Sequence, residues 1–390
     1  MSEPPVGVCH VITQLELGGA QDNTLHTVAS LRPPFQGRLV AGPGGMLDGE
    51  AARLRHVPLT FIDQLVRPIR PDLDCSAVRR LTALFRATRP TIVHTHSSKA
   101  GIVGRLAARL AGVPIRVHSI HGFGFNAWQP AALRHALIAM ERMVAPLTTH
   151  FIAVSRSTAR QGIELGIVPP DRVTVIRSGI RIAEFERAAR DQALRNGRGL
   201  RGDLGLPADA PLVGMVACFK PQKAPLDFVE VAARVAAQVP GATFVLVGDG
   251  ELRRAIVARA AALGLGPRLR LLGWRRDVAR VMSALDVLLH TSLWEGLPRV
   301  LPEAIAAGLP VVATGVDGAT DILEDGVSGI VCRPHDIGAL AAGVQRLLAD
   351  RDLRRSLAAR ARRLLPEFDI DAMVRSQEEL YARLLRDAAL

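Results

Sequence analysis

Residues 291–304 carry the sequence TSLWEGLPRVLPEA, in which Glu295 and Glu303 are separated by seven residues. An apolar run that ends at His290 predicts a buried strand before this stretch, and residues 300–307 predict a helix after its glycine and proline break. Loops at the carboxyl end of parallel strands are the usual ligand site of an open α/β sheet. We therefore expect Glu295 in a loop beside the helix start and Glu303 about two turns further along the helix.

The length and charge of the chain limit its class. With 390 residues it can form two domains, because single hydrophobic cores stop growing at about 250–300 residues. A formal net charge of +12 favours an anionic partner such as a nucleotide, a nucleic acid or an acidic lipid surface. Only three of the 49 basic residues are lysines, so arginine is used almost everywhere and the charge indicates no particular partner.

Cysteine spacing and hydropathy indicate the compartment. The four cysteines form no CxxC pair, which argues against a zinc ribbon or a disulfide framework and favours a reducing cytosol. The first residues lack a signal-peptide pattern, and no apolar run reaches the roughly 18–20 residues of a spanning helix. We expect a cytoplasmic protein. Peripheral contact with an anionic inner membrane face is a further hypothesis, based on a basic helix at 99–111 and on Phe123, Phe125 and Trp128.

Strand and helix patterns alternate through both halves of the chain, which predicts parallel sheets. Residues 183–210 are rich in Arg, Gly and Asp and lack a long apolar period, so they predict a connection between two domains. The second half then begins a new series of strands. Its predicted strands are residues 212–217, 242–247, 269–272, 287–290 and 311–313.

Two patterns resemble metal sites but have simpler explanations. Asp72 and Asp74 form a DxD pair, which can bind a divalent metal on a sugar diphosphate, but they fall where a helix N-cap is expected. Four histidines lie near the ends of two predicted strands without an accompanying zinc-ligand motif. They are His94, His96, His118 and His121. We therefore expect no metal.

Five loops of the second half carry glycines, lysines and carboxylates at predicted strand ends. In chain order they contain Lys220 and Lys223, Gly248 and Asp249, Gly273 and Trp274, Glu295 and Glu303, and Asp317 and Asp321. Lysine is a compact point charge that suits a diphosphate, and glycine lets a ligand approach the backbone closely. This set predicts a pocket for a nucleotide and a polyol, and the chain shows no Walker, GxGxxG or Ser-His-Asp pattern.

The run TSLWEGLPRVLPEAIAAGLPVVATGVDGATDILEDGVSGIVCRPHD (residues 291–336) resembles the characteristic block of glycosyltransferase family 4, the retaining enzymes of GT-B fold. VGDGELRRAI and LLGWRRDV precede it in the expected order. HTHSSKAGIVGRLAARLAGVPIRVHSIHGFGF (residues 94–125) is similar to the branch that builds capsular, exopolysaccharide and lipid-linked glycans. Matching segments extend from residue 8 to about residue 334.

The resemblance implies a domain organisation. It implies an α/β protein of two facing Rossmann-like domains with parallel sheets, a cleft between them, and a C-terminal helix that crosses back to the N-domain. Residues 1–180 would form the acceptor domain together with the crossover helix at about 368–390. Residues 181–367 would form the nucleotide-sugar donor domain.

The resemblance also implies residue roles. Glu295 would bind donor-sugar hydroxyls, Glu303 the ribose hydroxyls, and Lys223 would neutralise the diphosphate. Gly19, in the first half, would offer a backbone N–H near the phosphate, and His121 would contact the donor sugar near the reacting carbon.

The same resemblance implies further donor contacts. The amides of Gly296 and Leu297 would touch sugar or phosphate, and the backbone of Gly273 and Trp274 would meet the base. Gly248 would belong to the same donor site.

One position departs from the family pattern. Much of the family has an arginine five positions before the lysine, where this chain has Cys218. Either Lys220 supplies the second positive charge, or Lys223 acts with helix dipoles alone.

The expected activity is a retaining hexosyl or N-acetylhexosaminyl transfer from a nucleoside-diphosphate sugar, with UDP as the expected nucleotide and no metal requirement. The expected acceptor is a saccharide or a polyprenyl-diphosphate-linked glycan of cell-surface polysaccharide biosynthesis. The alternative is a GT-B-type sugar-nucleotide epimerase, which needs no acceptor. A basic nucleic-acid-binding protein ranks last, because the chain shows neither a basic-aromatic stripe nor a recognised module.

Overall fold

A computed structural model describes residues 5–191, 194 and 199–389. The chain divides into two compact units, of which the first comprises Met1–Gly179 and Ile370–Leu390 and the second comprises Ile180–Asp369. Each unit is built on one parallel sheet with helices in the connections. The sequence prediction of parallel sheets is therefore confirmed.

The first unit is built on a seven-stranded sheet. Its elements before the second unit are β1 (Val6–Gln14), α1 (Gly19–Ser30), β2 (Phe35–Gly42), α2 (Asp48–Arg53), β3 (Leu59–Phe61), α3 (Pro71–Thr88), β4 (Ile92–His96), α4 (Ser98–Leu110), β5 (Ile115–Ile120), α5 (Ala131–Val144), β6 (His150–Ala153), α6 (Arg156–Glu164) and β7 (Val173–Val175). The strand order is β3-β2-β1-β4-β5-β6-β7, so the direction of winding reverses between β1 and β4. Ligand sites of open α/β sheets form at such a reversal.

Helix α4 lies unusually close to this sheet because two of its residues have no side chain. A Cβ atom at Gly101 would come within 2.5 Å of the His118 ring, and one at Gly104 within 2.7 Å of the Thr95 methyl group. Either substitution would force the helix away from β4 and β5. The two glycines therefore fix the strand ends that carry the histidines against the helix that follows them.

The second unit has a six-stranded sheet in the order β10-β9-β8-β11-β12-β13. Its elements are α7 (Ile182–Arg190), α8 (Leu200–Asp203), β8 (Leu212–Val216), α9 (Pro225–Gln238), β9 (Thr243–Val247), α10 (Arg253–Ala262), β10 (Leu269–Leu271), α11 (Val278–Ala284), β11 (Val287–His290), α12 (Val300–Ala306), β12 (Val311–Thr314), α13 (Asp317–Thr320), β13 (Ile330–Cys332), α14 (Ile337–Ala349) and α15 (Arg351–Ala361). β9 and β11 are buried along their whole length, as expected for strands covered on both faces. Here too the winding reverses, between β8 and β11.

The last helix, α16 (Ile370–Asp387), returns to the first unit. Its apolar residues pack against the sheet beside Val8, Ile92 and Val117. The Tyr381 hydroxyl on this helix also lies 2.6 Å from Nδ1 of His94 on β4. The expected return of the C-terminal helix to the N-terminal sheet is thereby confirmed.

Three details of the sequence prediction are wrong. The segment 183–210 is not only a connection, because α7 packs against α11 and α12 and its Phe185 is buried. Residues 192, 193 and 195–198 of this segment lie outside the described chain. β13 was not predicted because it has only three residues. α12 begins at Val300, so Glu303 lies in its first turn rather than about two turns along it.

Among the described residues, no helix is both long and apolar enough to cross a membrane.

Candidate active site

At the carboxyl edge of the second sheet, the loops after β8, β9 and β10 are joined by backbone hydrogen bonds. Phe219 N–H donates to the Asp249 carbonyl at 2.9 Å, and Gly248 N–H donates to the Gly273 carbonyl at 2.8 Å. Gly248 has φ 129°, and a Cβ atom there would lie 2.0 Å from the Ala217 carbonyl oxygen. Only glycine fits this position, so the close contact of these loops depends on it.

The turn after β8 is also fixed to the loop after β11. Leu293 N–H donates to the Gln222 carbonyl at 2.8 Å, and the Gln222 side chain donates to the Trp294 carbonyl at 2.9 Å. Thr291 Oγ1 donates to the Lys223 carbonyl at 2.9 Å. These bonds hold the lysine turn beside the loop of Glu295, although the two segments are about 70 residues apart in sequence.

Glu295 is the centre of the resulting cluster. Its side chain is buried, and Oε1 accepts hydrogen bonds from Lys223 Nζ and from His290 Nε2, the latter at 3.2 Å. Burial alone would raise the pKa of Glu295, but the positive charge of Lys223 and the hydrogen bond from His290 lower it to about 2. Burial in turn lowers the pKa of His290, so this ring is neutral at pH 7 and donates through Nε2–H. Glu295 is therefore a fixed carboxylate.

Oε2, the second carboxylate oxygen of Glu295, differs from Oε1 in its hydrogen bonding. Among the described residues, both hydrogen-bond donors to the Glu295 side chain are on Oε1, which leaves Oε2 without a protein partner. The backbone N–H of Glu295 donates to Asp317 Oδ2 at 3.2 Å and fixes the loop from the other side. An ionised oxygen without a protein donor is suited to accept hydrogen bonds from ligand hydroxyls.

The other acidic residue of the block, Glu303, is partly buried on α12. Its Oε1 lies 3.5 Å from Nη2 of Arg299, one turn earlier. Both side chains are shielded, at 13% exposed for Arg299 and 15% for Glu303. Sequence reasoning did not single out Arg299 as a partner, and its spacing of four residues before Glu303 was the available signal.

The remaining predicted donor residues differ in exposure. Lys220 is exposed at the start of its turn, whereas Lys223 is largely buried beside Glu295, and Cys218 is half-buried. Trp274 is 43% exposed after β10, next to Gly273 with φ 67°. Lys223, not Lys220, is therefore the lysine that the fold brings to the carboxylate.

Gly296 and Leu297 follow Glu295 directly and pack against the loop after β12. A Cβ atom at Gly318 would lie 2.0 Å from the Gly296 carbonyl oxygen, so the two loop backbones are in direct contact. Leu297 is buried, at 9% exposed. All five loops of the second unit thus form one continuous edge.

In the first unit, Gly19 and His121 both lie at the carboxyl edge of the sheet. Gly19 is the first residue of α1, with Gly18 as the N-cap residue. His121 follows β5 and is partly buried. Gly19 is therefore placed where backbone N–H groups of a helix start are found.

His121 belongs to a cluster of histidines on one face of β1 and β4. His96 Nδ1 lies 3.0 Å from His121 Nε2, and His96 Nε2 lies 3.0 Å from His10 Nδ1. The two nitrogens of His94 contact the Tyr381 hydroxyl at 2.6 Å and Ser119 Oγ at 2.8 Å. Sequence reasoning missed His10, for which the only signal was a histidine inside the otherwise apolar run of residues 6–12.

His10, His94 and His96 each offer a nitrogen within 4.8 Å of the others, a spacing that could hold a metal ion. The side-chain hydrogen bonds around them argue for another role, because both nitrogens of His94 and both of His96 already have partners. A metal would have to replace several of these bonds without any carboxylate ligand among the three residues.

The DxD pair lies at the start of α3. Both acids fall in the first turn after Pro71, and Asp74 forms a 2.6 Å ion pair with Lys99 while Asp72 lies 3.2 Å from Arg70. These contacts support a role at the helix start, where negative charge is stabilising. Because Lys99 is paired with Asp74, its charge is neutralised and does not add to a basic surface on α4.

Two further parts of the membrane hypothesis are corrected by the structure. Arg105 on α4 is completely buried and pairs with Glu141 at 2.9 Å, so it offers no surface charge. Phe125 is 3% exposed and stacks on Phe123 inside the unit. Within the predicted aromatic group, Trp128 is the residue that is mostly exposed, at 57%.

Comparison with known proteins gives consistent results for both halves. The family model Glycosyltransferase Family 4 matches residues 19–184, and the model Glycosyl transferases group 1 matches residues 198–364. The Escherichia coli UDP-Gal:alpha-D-GlcNAc-diphosphoundecaprenol alpha-1,3-galactosyltransferase is 32% identical over 324 residues, which cover 82% of each chain. The D-inositol 3-phosphate glycosyltransferase of Thermobispora bispora is 31% identical over 355 residues, covering 85% of this chain and 80% of the relative.

A solved structure supports the same fold. The structure of HepE from Anabaena in complex with UDP and glucose has a TM-score of 0.83 at 22% identity and covers 97% of this chain and 100% of that one. The two Rossmann-like units are those of the GT-B fold. The chain belongs to glycosyltransferase family 4 and is a glycosyltransferase.

Proposed function

We propose that this glycosyltransferase transfers a sugar from a UDP-sugar, with retention of anomeric configuration, to a polyprenyl-diphosphate-linked saccharide in the synthesis of a cell-surface polysaccharide. The observation that carries the proposal is the cluster of Lys223, Glu295 and His290 at the carboxyl edge of the second sheet. It combines one cation with one carboxylate that has an open oxygen. A sugar diphosphate presents hydroxyls and negative oxygens, which are the complementary groups.

We assign the donor nucleotide to the second unit. Glu295 accepts hydrogen bonds from donor-sugar hydroxyls through Oε2, and Lys223 neutralises the diphosphate. Glu303 receives the ribose hydroxyls. The backbone of Gly273 and Trp274 faces the base, an assignment supported by the positive φ of Gly273 and the exposure of the tryptophan.

Further donor contacts are assigned to backbone groups. Amides of Gly296 and Leu297 contact the sugar or the phosphate, and Gly248 gives the ligand close access to the backbone. We assign the acceptor to the first unit. From the same unit, the backbone of Gly19 approaches the donor phosphate, and His121 contacts the donor sugar near the reacting carbon.

The proposed chemistry needs no carboxylate nucleophile. The bond between the sugar C1 and the diphosphate oxygen breaks, and the acceptor hydroxyl oxygen bonds to C1 on the same face. The departing phosphate oxygen takes the proton from this hydroxyl. Lys223 and the backbone amides stabilise the negative charge on the diphosphate as it leaves. The reaction proceeds without a bound metal ion, since the lysine supplies the positive charge.

The acceptor class is supported by the relatives. The Escherichia coli relative is named for UDP-galactose and for a diphosphoundecaprenol-linked GlcNAc, and it matches 82% of this chain. A cytoplasmic enzyme that meets such an acceptor works at the inner face of the cell membrane. We propose peripheral contact with an anionic membrane through the surface of α5 and the loop before it.

That surface exposes large apolar side chains beside arginines. Trp128, Leu133 and Met143 are 57%, 46% and 72% exposed. Arg142 lies beside Met143 in sequence and is also exposed. Apolar side chains with neighbouring cations suit the boundary of an anionic bilayer.

Vesicle co-sedimentation tests the membrane contact. The wild-type protein is expected to bind vesicles containing anionic lipid at low salt, and a Leu133→Ser, Met143→Ser double variant is expected to bind at least about 5-fold less, since each buried apolar side chain contributes about 1–3 kcal/mol. Ile69→Ser serves as the control, because Ile69 is 63% exposed on a different loop. A wild-type protein that stays in the supernatant contradicts the contact.

The activity is tested with a panel of sugar nucleotides and a diphosphoundecaprenol-linked GlcNAc acceptor, followed by determination of the product anomer. We expect turnover of a UDP-sugar only when acceptor is present, an α-linked product from an α-linked donor, and unchanged rates in EDTA. Conversion of the donor without acceptor would instead indicate the epimerase alternative. An inverted anomer would contradict the proposed mechanism.

A further inference from the structure

Three of the histidines of the first unit, His10, His96 and His121, form a continuous chain of ring nitrogens. His10 Nδ1 is 3.0 Å from His96 Nε2, and His96 Nδ1 is 3.0 Å from His121 Nε2. The ring centroids are 5.2 Å and 5.3 Å apart, so the nitrogens point at one another along the lines that join the rings. This chain of rings starts at His10 on β1, inside the sheet, and ends at His121 at the carboxyl edge of the sheet.

All three rings are neutral at pH 7. Burial lowers the pKa of His10 to about 3 and that of His121 to about 4. Burial also lowers the pKa of His96 well below its ordinary value, with the nearby rings of His94 and His10 adding to the shift. A neutral imidazole carries one proton, so each ring has one donor nitrogen and one acceptor nitrogen.

Two contacts between three neutral rings permit only two arrangements of the protons. In one, every ring is protonated at Nδ1, His10 donates to His96, and His96 donates to His121. In the other, every ring is protonated at Nε2 and both hydrogen bonds run in the opposite direction. A mixed arrangement would bring two lone pairs or two protons together at 3.0 Å.

The inner end of the chain decides between these arrangements. His10 Nε2 is buried and has no hydrogen-bond partner among the described residues. With protons on Nε2, the chain would bury an N–H donor without an acceptor, which native structures rarely do. With protons on Nδ1, only a bare ring nitrogen is left at this position.

We propose that His10 and His96 are positioning residues that hold His121 in its Nδ1–H form, so that His121 presents a hydrogen-bond donor to the bound sugar. This inference rests on the proposed contact between His121 and the donor sugar. Nδ1 of His121 is already protonated and Nε2 is occupied by His96. His121 therefore donates to a sugar oxygen and does not act as the base that deprotonates the acceptor.

Nitrogen-15 NMR of histidine-labelled protein tests the proton positions without any substrate. We expect His10, His96 and His121 of the wild type each to show a protonated Nδ1 and a bare Nε2, with assignments from single histidine variants. A protonated Nε2 on His121 overturns the inference. This measurement needs no turnover, so it is independent of activity. An inactive protein would contradict the proposed function, whereas the spectrum alone decides the proton positions.

Two substitutions at one position separate positioning from packing. His96→Leu removes the donor to His121, so we expect His121 to gain Nε2–H character and kcat to fall about 10-fold, the value of one ordinary hydrogen bond. His96→Asn places an amide N–H near the former Nδ1, and we expect it to restore kcat to within about 3-fold of wild type.

The control is His118→Leu, which removes a buried histidine of β5 that contacts Thr95 at 2.9 Å and lies outside the chain of three rings. It is expected to lower stability without changing the His121 spectrum. Equal kcat values for His96→Leu and His96→Asn would overturn the positioning role. If His96→Leu does not fold, the wild-type spectrum still decides the question.

Discussion

The two sheets carry different kinds of polar cluster at their carboxyl edges. In the second unit, Lys223 and the ionised Glu295 form a charged pair supported by His290. In the first unit, His10, His96 and His121 form a chain of neutral rings. A charged pair suits a ligand that carries charge itself, whereas neutral rings offer hydrogen bonds of fixed direction and add no charge. The difference predicts that the two clusters respond differently to substitution, to pH and to ligand.

Loss of the Glu295 charge should have the largest effect. Glu295→Gln keeps the size of the side chain but removes the anionic acceptor, so we expect kcat/KM for the sugar nucleotide to fall about 100-fold, because hydrogen bonds to charged groups contribute about 1.5–3 kcal/mol. Steady-state kinetics measures the change, and circular dichroism checks the fold.

Glu324→Gln is the matched control for this substitution, since Glu324 is an exposed acid of the same unit. It should retain the wild-type rate. Normal kinetics in Glu295→Gln would remove the donor-sugar role from this residue and from the second cluster.

The pH dependence of stability should distinguish the two clusters next. The pKa of His121 is about 4 in the fold against an ordinary 6.5, so between these values the unfolded chain binds more protons than the folded one. Its contribution to the free energy of unfolding is complete above pH 6.5 and lost as the pH falls toward 4, a change of about 3 kcal/mol. The Glu295 contribution, with a pKa of about 2 against 4.5, is lost only as the pH falls from 4.5 toward 2.

Urea unfolding of the wild type at pH 7 and pH 5 measures this difference. We expect the wild type to be less stable at pH 5 than at pH 7. His121→Asn should lose less stability, because it lacks one imidazole whose pKa is lowered by burial. His135→Asn is the control, since His135 is exposed on α5. A pH response that is unchanged in His121→Asn would contradict the neutral state assigned to this ring.

The second cluster illustrates what a single sequence can predict. The loop position of Glu295 followed from the strand and helix patterns around it, and Lys223 stood out because lysine is so scarce in this chain. The contact between them is a long-range feature, created by the bonds from Gln222 and Thr291 between two loops. No local pattern reports such bonds, and His290 was seen only as the end of a strand.

The first cluster shows the opposite case. The histidines after β4 and β5 were visible as a group, but His10 lies on β1 and joins them only through the register that pairs it with His94. Periodicity alone does not give the neighbour of a strand. The buried pairing of Arg105 with Glu141 was hidden for the same reason, because α5 had no predicted partner.

The two lysines near the second cluster offer a smaller contrast. Lys223 is largely buried at the carboxylate, whereas Lys220 is exposed. We expect Lys223→Met to weaken UDP binding about 10-fold and Lys220→Met less than about 3-fold, since an exposed charge is screened by solvent. Isothermal titration calorimetry measures both. A larger effect at Lys220 would show that it, and not Lys223, holds the diphosphate.

The smallest effect is expected at Cys218, where much of the family has arginine. This residue is half-buried after β8, and its carbonyl accepts the Lys220 N–H at 2.9 Å. If Lys223 alone neutralises the diphosphate, Cys218→Arg adds a cation and should tighten UDP binding about 3-fold to 5-fold, within the usual range for a partly exposed ion pair. Cys218→Ser, which adds no charge, should leave the dissociation constant unchanged. Titration of both variants with UDP decides the matter, because unaltered binding in Cys218→Arg would mean that Lys220 already supplies the second charge and that the two lysines act together.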